Sequence, residues 1–213
     1  MVKDLVLPCA TGRAYQALLG FCSTLFLNSP TDELVQQLVD ERALFLEEPY
    51  CSVAPEAARS LHGLLDEAAD KDVAALAQSM RQDYVYLFYL VNVSRTSPFE
   101  SVYRTDDRTM FGPTTLEVRK TYHRWGEAVP DEGKQPDDHI GFELSFVASL
   151  LARDDASATA AAAAFLEDHV LTFAPFYLET VKERAQTTFY REVAKVAHLT
   201  LVSLAETLEV RLS

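Results

Sequence analysis

The residues with the clearest potential for chemistry lie in the stretch QPDDHIGFELSF, from Gln135 to Phe146. It contains two adjacent aspartates, Asp137 and Asp138, then His139, and Glu143 four residues further on. Side chains four residues apart share a helix face, so His139 and Glu143 could hold a cation together with one aspartate. A di-metal site in a helix bundle requires repeated Glu-x-x-His motifs, and the sequence contains none. The spacing therefore does not favour a metal site.

Motifs for other kinds of catalysis are missing from the chain. The phosphate-binding patterns GxxxxGK[ST] and GxGxxG do not occur, and neither does the nucleophile motif GxSxG. His123, His169 and His198 fall on separate predicted helices, and acid pairs carry no information in a chain with 32 acidic residues. We therefore predict no catalytic residue, no metal ligand and no cofactor. A helical metal- or nucleotide-dependent hydrolase is the alternative.

The same stretch has the pattern of a helix start. Proline suits the first position of a helix, and acids in the first turn meet the positive end of the helix dipole. We therefore predict a helix from Pro136 to about Arg153, with Asp137 and Asp138 forming an acidic corner at its beginning. Gly141 would let another backbone approach closely. The simpler alternative is a well-started helix whose acids are only solvated.

Charge restricts the class of partner. The 213 residues include 19 basic and 32 acidic ones, a net charge of −13, which disfavours nucleic acid and favours a basic peptide. The three cysteines form no CxxC pair. Asp4 beside Lys3 makes a poor signal peptide, and the run Ala14–Leu27 is too short and polar to span a bilayer. We expect a cytoplasmic protein without an integral membrane segment.

Helical periodicity dominates the chain and predicts an all-α fold, an irregular bundle of seven or more helices. One helix face is formed by Tyr15, Leu18, Leu19, Cys22 and Phe26. A further helix is predicted with Ser29 or Thr31 as its cap, and another to begin at Pro55. Helices are also predicted to span 72–90 and 114–125, to begin at Asp154 or Asp155, and to cover about 185–210.

Two stretches break the helical pattern. Residues 91–113 predict a long ordered loop with one short helical turn, and Pro175 is predicted to interrupt a helix near Phe173. The length predicts a single domain, 1–213, and the polar stretch 127–135 is the candidate hinge between an N-terminal and a C-terminal helical lobe. Such a hinge would allow a domain-swapped homodimer as well as a monomer.

Two blocks of the sequence resemble those of the TorD/DmsD-type chaperones. PDDHIGFELSF is similar to their signature, and DYVYLF (Asp83–Phe88) followed by SPFESVYRTDDRTMFGPTTLEVRKTYHRWG (Ser97–Gly126) is similar to their characteristic loop and helix. A third block, Phe165–Ala194, is similar to their late helices. Two positions depart from the family pattern, because Leu90-Val91 replace a usual Gly-Pro and Phe99 replaces a usual Trp.

The resemblance implies a TorD-like all-helical chaperone without enzymatic activity. Such proteins bind the twin-arginine leader and the apo form of a molybdopterin oxidoreductase, assist cofactor insertion and prevent premature export. The peptide-binding residues implied by the motif match and the acidic corner are Tyr84, Phe88, Pro98, Phe99, Glu100, Tyr103, Asp137, Asp138 and His139. The chemistry of these residues agrees with leader binding, because acids can bind arginine and aromatic side chains can form an apolar wall. A subunit that stays with its oxidoreductase is a further alternative.

Overall fold

A computed structural model describes residues 7–105 and 107–211, apart from the side chains of residues 93 and 94. Lys3 and Asp4, which enter the signal-peptide argument, lie outside these ranges. Every regular element within them is helical, and extended residues form only isolated β-bridges. The all-α prediction is therefore confirmed.

The helices follow one another with short connections. In chain order they are α1 (Cys9–Leu27), α2 (Asp32–Asp40), a 3₁₀ segment (Arg42–Leu46), α3 (Tyr50–Val53), α4 (Pro55–Asp70), α5 (Val73–Tyr84), a π-helical turn (Val85–Tyr89), α6 (Val91–Ser94), α7 (Ser101–Arg104), α8 (Pro113–Arg124), α9 (Ile140–Leu151), α10 (Ala156–Phe165), a second π-helical turn (Leu166–Val170), α11 (Leu171–Arg184) and α12 (Thr188–Thr207).

Local signals explain several of the helix starts. The Thr31 side chain accepts the Leu34 N–H, and the Asp155 carboxylate accepts the N–H groups of Ser157 and Ala158. Such side-chain acceptors satisfy amide groups that have no partner within the first turn of a helix. These predicted helix starts are confirmed. The predicted apolar face of α1 is also confirmed, because all five of its residues are buried.

The centre of the core is the contact between α1 and α9, the most extensive helix pair of the bundle. A glycine lies at each end of this contact. A Cβ atom on Gly12 would lie 3.0 Å from the Leu151 carbonyl oxygen, and one on Gly141 would overlap the Leu27 side chain. The Ser23 hydroxyl also donates to the Gly141 carbonyl at 2.8 Å. Helix α1 therefore approaches Gly141 closely, but with the side chains of Leu27 and Ser23 and not, as was predicted at this position, with its backbone.

Residues 91–113 are more helical than predicted. The described part of this stretch contains two short helices, α6 and α7, whereas the sequence predicts one turn; Asp106 lies outside the described residues. At Leu90-Val91, where this sequence lacks the Gly-Pro of the family pattern, the π-helical turn leads almost directly into α6. A Gly-Pro pair would end the helix, and neither of these residues does so.

The predicted interruption at Pro175 is wrong, because this residue lies inside α11. A proline inside a helix removes one hydrogen bond of the regular ladder. Here a π-helical turn immediately precedes α11, and Val170 at the junction keeps helical dihedral angles, φ −54° and ψ −51°. Helical backbone is thus continuous up to the proline.

The stretch 127–135 is irregular, as expected, but two of its acids anchor it to the rest of the chain. Glu127 accepts the Arg153 guanidinium at 2.9 Å, and Glu132 pairs with His123 at 2.6 Å. Helix α9, which follows this stretch, packs along α1. The hinge and the two lobes stay predictions. No helix in the described ranges is long and apolar enough to cross a membrane.

The glycine of the α1–α9 contact provides a test of the core. We expect Gly141→Ala to lower the free energy of unfolding by about 1–3 kcal/mol, because the added methyl group overlaps Leu27. Gly63→Ala is the matched control, since Gly63 is also helical but faces open space, and we expect it to stabilise by up to about 1 kcal/mol. Urea unfolding measures both. Equal effects of the two variants would contradict the tight packing at Gly141.

Candidate functional site

The two sequence blocks that carry the resemblance meet in space. Phe99 and His139 form an isolated antiparallel β-bridge. Two backbone hydrogen bonds flank it, donated by the N–H groups of Glu100 at 2.9 Å and Ile140 at 2.8 Å. The loop that follows α6 is thus joined to the segment that precedes α9.

Asp138 holds this junction together from inside. Its carboxylate accepts the Ser101 N–H at 2.6 Å and the Thr115 hydroxyl at 2.7 Å, and the residue is fully buried. It therefore links the start of α7 to the start of α8. Because its partners are internal, the Asp138 carboxylate is not exposed at a helix start.

The predicted helix start at Pro136 is accordingly wrong, since α9 begins at Ile140. His139 is its N-cap residue, and its Nδ1 atom accepts the Gly141 N–H at 3.0 Å. The chain is not helical immediately before Ile140 because the Asp138 carbonyl and the Ile140 N–H are used in pairing with the Phe99 segment. The acidic corner that was predicted at the helix start is therefore buried and not exposed.

Asp137 is also fully buried and faces α8. Its Oδ2 atom accepts two hydrogen bonds from the Arg119 guanidinium, at 3.1 Å from Nε and 2.5 Å from Nη2. This bond to the carboxylate raises the pKa of Arg119. The Tyr122 hydroxyl donates to the Asp137 carbonyl at 3.3 Å.

Glu100 joins the loop to the late helices. Its fully buried carboxylate accepts the Arg104 guanidinium at 3.0 Å and the Thr172 hydroxyl at 3.2 Å, and lies 3.0 Å from His169 Nδ1. Arg104 also donates to the Asp168 carbonyl at 2.9 Å. The third block of the resemblance is thus in contact with the second.

Glu143 has no such partners. It is fully buried in α9, and neither carboxyl oxygen has a hydrogen-bond partner among the described residues. Burial, with the nearby carboxylates of Glu100 and Asp138, raises the pKa of Glu143 well above its usual value, and Arg104 opposes the rise. The group is therefore protonated at a pH where an exposed glutamate is ionised.

His139 is neutral at physiological pH, because burial lowers its pKa to about 3. Its ring lies between two half-buried phenylalanines, with centroids 5.2 Å from Phe99 and 5.8 Å from Phe142. A neutral ring that accepts the helix N–H cannot act as a cation.

Three of the predicted aromatic residues belong to one chain of ring contacts, in which Phe88 is linked to Tyr103 through fully buried core rings, those of Phe26, Tyr177 and Phe173. Phe99 lies outside this chain and contacts His139. Tyr84 and Phe88 are buried and lie 4.9 Å apart between centroids, whereas Tyr103 is half-buried. Burial raises the pKa of Tyr84 and of Tyr103 to about 12, so both phenols are neutral. Pro98 is buried at the bridge.

The most exposed members of this aromatic chain were missed by the sequence analysis. Tyr89 is 71% exposed and contacts Tyr84 at 5.9 Å, and Phe176 is 66% exposed and contacts Tyr103 at 5.9 Å. We call Tyr84, Phe88, Tyr89, Tyr103 and Phe176 the aromatic face. Phe176 could have been found, because it interrupts the otherwise polar face of α11 formed with Thr172, Glu179 and Glu183.

The part of the chain that the structure describes contains no group of three His, Cys, Asp or Glu residues suited to hold a metal ion. Asp83, the first residue of the DYVYLF block, has a structural role. Its carboxylate accepts the N–H groups of Gln186 and Thr187 at 3.1 and 2.8 Å, which fixes the start of α12 against the end of α5.

Residues 51–178, 60% of the chain, match the family model described as nitrate reductase delta subunit. With its all-helical fold, the chain belongs to this family. Within the family it is a TorD/DmsD-type chaperone, as the blocks that meet at the Phe99–His139 bridge indicated.

Three curated relatives agree with this assignment. A probable Tat proofreading chaperone DmsD of Haemophilus influenzae is 31% identical over 126 residues, which cover 59% of this chain and 60% of the relative. The chaperone protein TorD of Aliivibrio salmonicida is 24% identical over 181 residues, covering 80% and 83% respectively. That of Vibrio cholerae is 24% identical over 159 residues, covering 64% and 72%.

The buried carboxyl of Glu143 predicts a dependence of stability on pH. The folded chain keeps a proton that the unfolded chain loses above about pH 4.3, so this group destabilises the fold increasingly as the pH rises above that value. Gln cannot lose a proton. We therefore expect the free energy of unfolding of Glu143→Gln, relative to the unmodified protein, to increase between pH 5 and pH 8.

Glu117→Gln serves as the control, because Glu117 is exposed on α8. Its free energy of unfolding should differ from that of the unmodified protein by the same amount at both pH values. Denaturant unfolding at each pH provides the measurement. A difference for Glu143→Gln that is independent of pH would contradict a raised pKa at this position.

Proposed function

We propose that this chain binds the twin-arginine leader and the apo form of a molybdopterin oxidoreductase, assists cofactor insertion and prevents premature export. The similarity to a probable Tat proofreading chaperone, DmsD, supports this proposal. The observation that carries it is the junction of the two blocks at the Phe99–His139 bridge, beside an aromatic face with strongly exposed ends.

The aromatic face suits the apolar part of a leader. Burying exposed aromatic area provides most of the affinity in peptide grooves, and large aromatic residues dominate such interfaces. Tyr89 and Phe176 have this area available, and Tyr103 connects to Phe176 by a ring contact. Phe99 and His139, both half-buried and in edge contact with each other, form a further apolar group at the bridge.

The acids of the site divide into two groups. Glu100, Asp137 and Asp138 are fully buried and engaged with internal donors, so we propose that they position the loop against which the leader lies. The leader arginines instead meet exposed acids next to Phe176, for which Glu183 on the same face of α11 is suitable. Glu179, on that face too, is paired with Lys182 at 2.6 Å. Guanidinium groups form their strongest hydrogen bonds with carboxylates.

An aromatic truncation at each end of the face tests the proposal. We expect Tyr89→Ser with Phe176→Ser to weaken binding of a synthetic twin-arginine leader peptide by about tenfold or more, because the exposed apolar area is lost. Isothermal titration calorimetry measures the affinity. Since both side chains are largely exposed, the variant should keep its helical content and thermal stability.

Leu199→Ser is the matched control, because Leu199 is 38% exposed on α12 and lies outside the aromatic face. It should leave leader affinity unchanged. Replacing both leader arginines by glutamines, or raising the salt concentration, should weaken binding if carboxylates receive the arginines. Unchanged affinity of the double variant would overturn the assignment of this face.

A further inference from the structure

A second apolar surface lies away from the aromatic face, between α1, α2 and the 3₁₀ segment. It is a cleft of about 250 Å³, and its floor consists of three rings in mutual edge contact. Phe21 lies 5.5 Å from Phe45 and 5.6 Å from Tyr50, and Phe45 lies 5.0 Å from Tyr50. Leu44, at its mouth, is 48% exposed.

Glycine keeps one wall of this cleft open. Gly20 lies in the middle of α1 and lines the cleft, and a Cβ atom at this position would meet no atom within 4 Å. Glycine lowers the stability of a helix interior by about 1 kcal/mol relative to alanine. No close packing requires glycine here, in contrast to Gly12 and Gly141.

The rim of the cleft is acidic. Glu41 lines it, and the adjoining outer surface of α2 carries Asp32, Glu33 and Asp40. Among the described residues, only Asp32 of these four is in an ion pair, with Arg81 at 2.6 Å. Arg42, the nearest basic residue in sequence, is paired with Asp66 at 2.8 Å.

We propose that this cleft is a second docking site, which receives a large apolar side chain from a cationic amphipathic segment of a partner protein. The volume is below the roughly 300–1,000 Å³ of typical small-molecule pockets, and suits one or two side chains. The unpaired acids of the rim complement lysine or arginine on either side of the inserted residue. The site goes beyond leader binding and does not depend on it.

Charge also argues against two other occupants. A second copy of this chain has a net charge of −13, so two acidic rims would repel each other. An anionic lipid surface would be repelled for the same reason. A basic segment is the occupant that the rim attracts.

Filling the cleft tests the proposal without removing a core side chain. The probe is a short synthetic helical peptide with leucine on one face and lysine on the other, and fluorescence anisotropy measures its binding. We expect Gly20→Leu to weaken binding about tenfold or more, because the new side chain occupies the cleft, while thermal stability is kept or raised. Gly63→Leu, at an open helical position outside the cleft, should leave binding unchanged.

Three further measurements separate this site from its alternatives. The same peptide with glutamate in place of lysine should not bind. Glu33→Gln with Glu41→Gln should weaken binding of the lysine peptide, whereas Glu206→Gln with Glu209→Gln, which changes the net charge equally, should not. Gly20→Leu should retain affinity for the twin-arginine leader peptide, so failure of the aromatic face and failure of this cleft can be distinguished.

The proposal is overturned if Gly20→Leu binds the lysine peptide as the unmodified protein does, or if the glutamate peptide binds equally well. It is also overturned if Gly20→Leu abolishes leader binding, because the cleft would then be part of the leader site. Loss of self-association in Gly20→Leu would overturn it as well, because a second copy would then be the occupant. Should Gly20→Leu misfold, Leu44→Ser, which removes half-exposed apolar area, must weaken lysine-peptide binding for the proposal to stand.

Discussion

The burial of carboxylates at the Phe99–His139 bridge is the constraint on which the rest of the site depends. A buried charge is tolerated only when donors surround it. Asp138 is matched by a backbone N–H and a hydroxyl, and Glu100 by a guanidinium and a hydroxyl. These donors come from α7, α8 and α11, so satisfying the acids requires all three elements to be in place.

This requirement couples the site to the core through α9. Its first residues carry Gly141, pressed against Leu27 of α1, and Glu143, which faces the buried carboxylates. A change in the polar cluster therefore acts on the same helix that forms the central contact with α1. The loop that bears Phe99 is held by the protein interior, so it offers a rigid edge to the peptide that we propose to bind there.

Periodicity predicted most of the fold because helix faces repeat within a few residues along the chain. The start of α9 could not be predicted in this way. Proline followed by two acids is a favourable helix start by local rules, but the backbone of residues 138–140 pairs instead with residues 98–100, which are distant in sequence. Long-range pairing of this kind leaves no periodic signal. The resemblance identified the right segments without showing that their acids are buried.

The distribution of acids also explains how one chain can combine a rigid site with attraction for basic partners. The interior acids are fixed by specific donors and contribute structure. Exposed acids such as Glu183 near Phe176 and Glu33 near the cleft have no such anchoring, and they remain available to attract a cation. Beside each exposed group lies apolar surface, in Phe176 and in Leu44 respectively. A partner that is basic but polar would interact with the acids alone, and one that is apolar but acidic would contact the apolar surface alone. Exposed acid beside apolar surface would therefore supply selectivity that net charge alone would not.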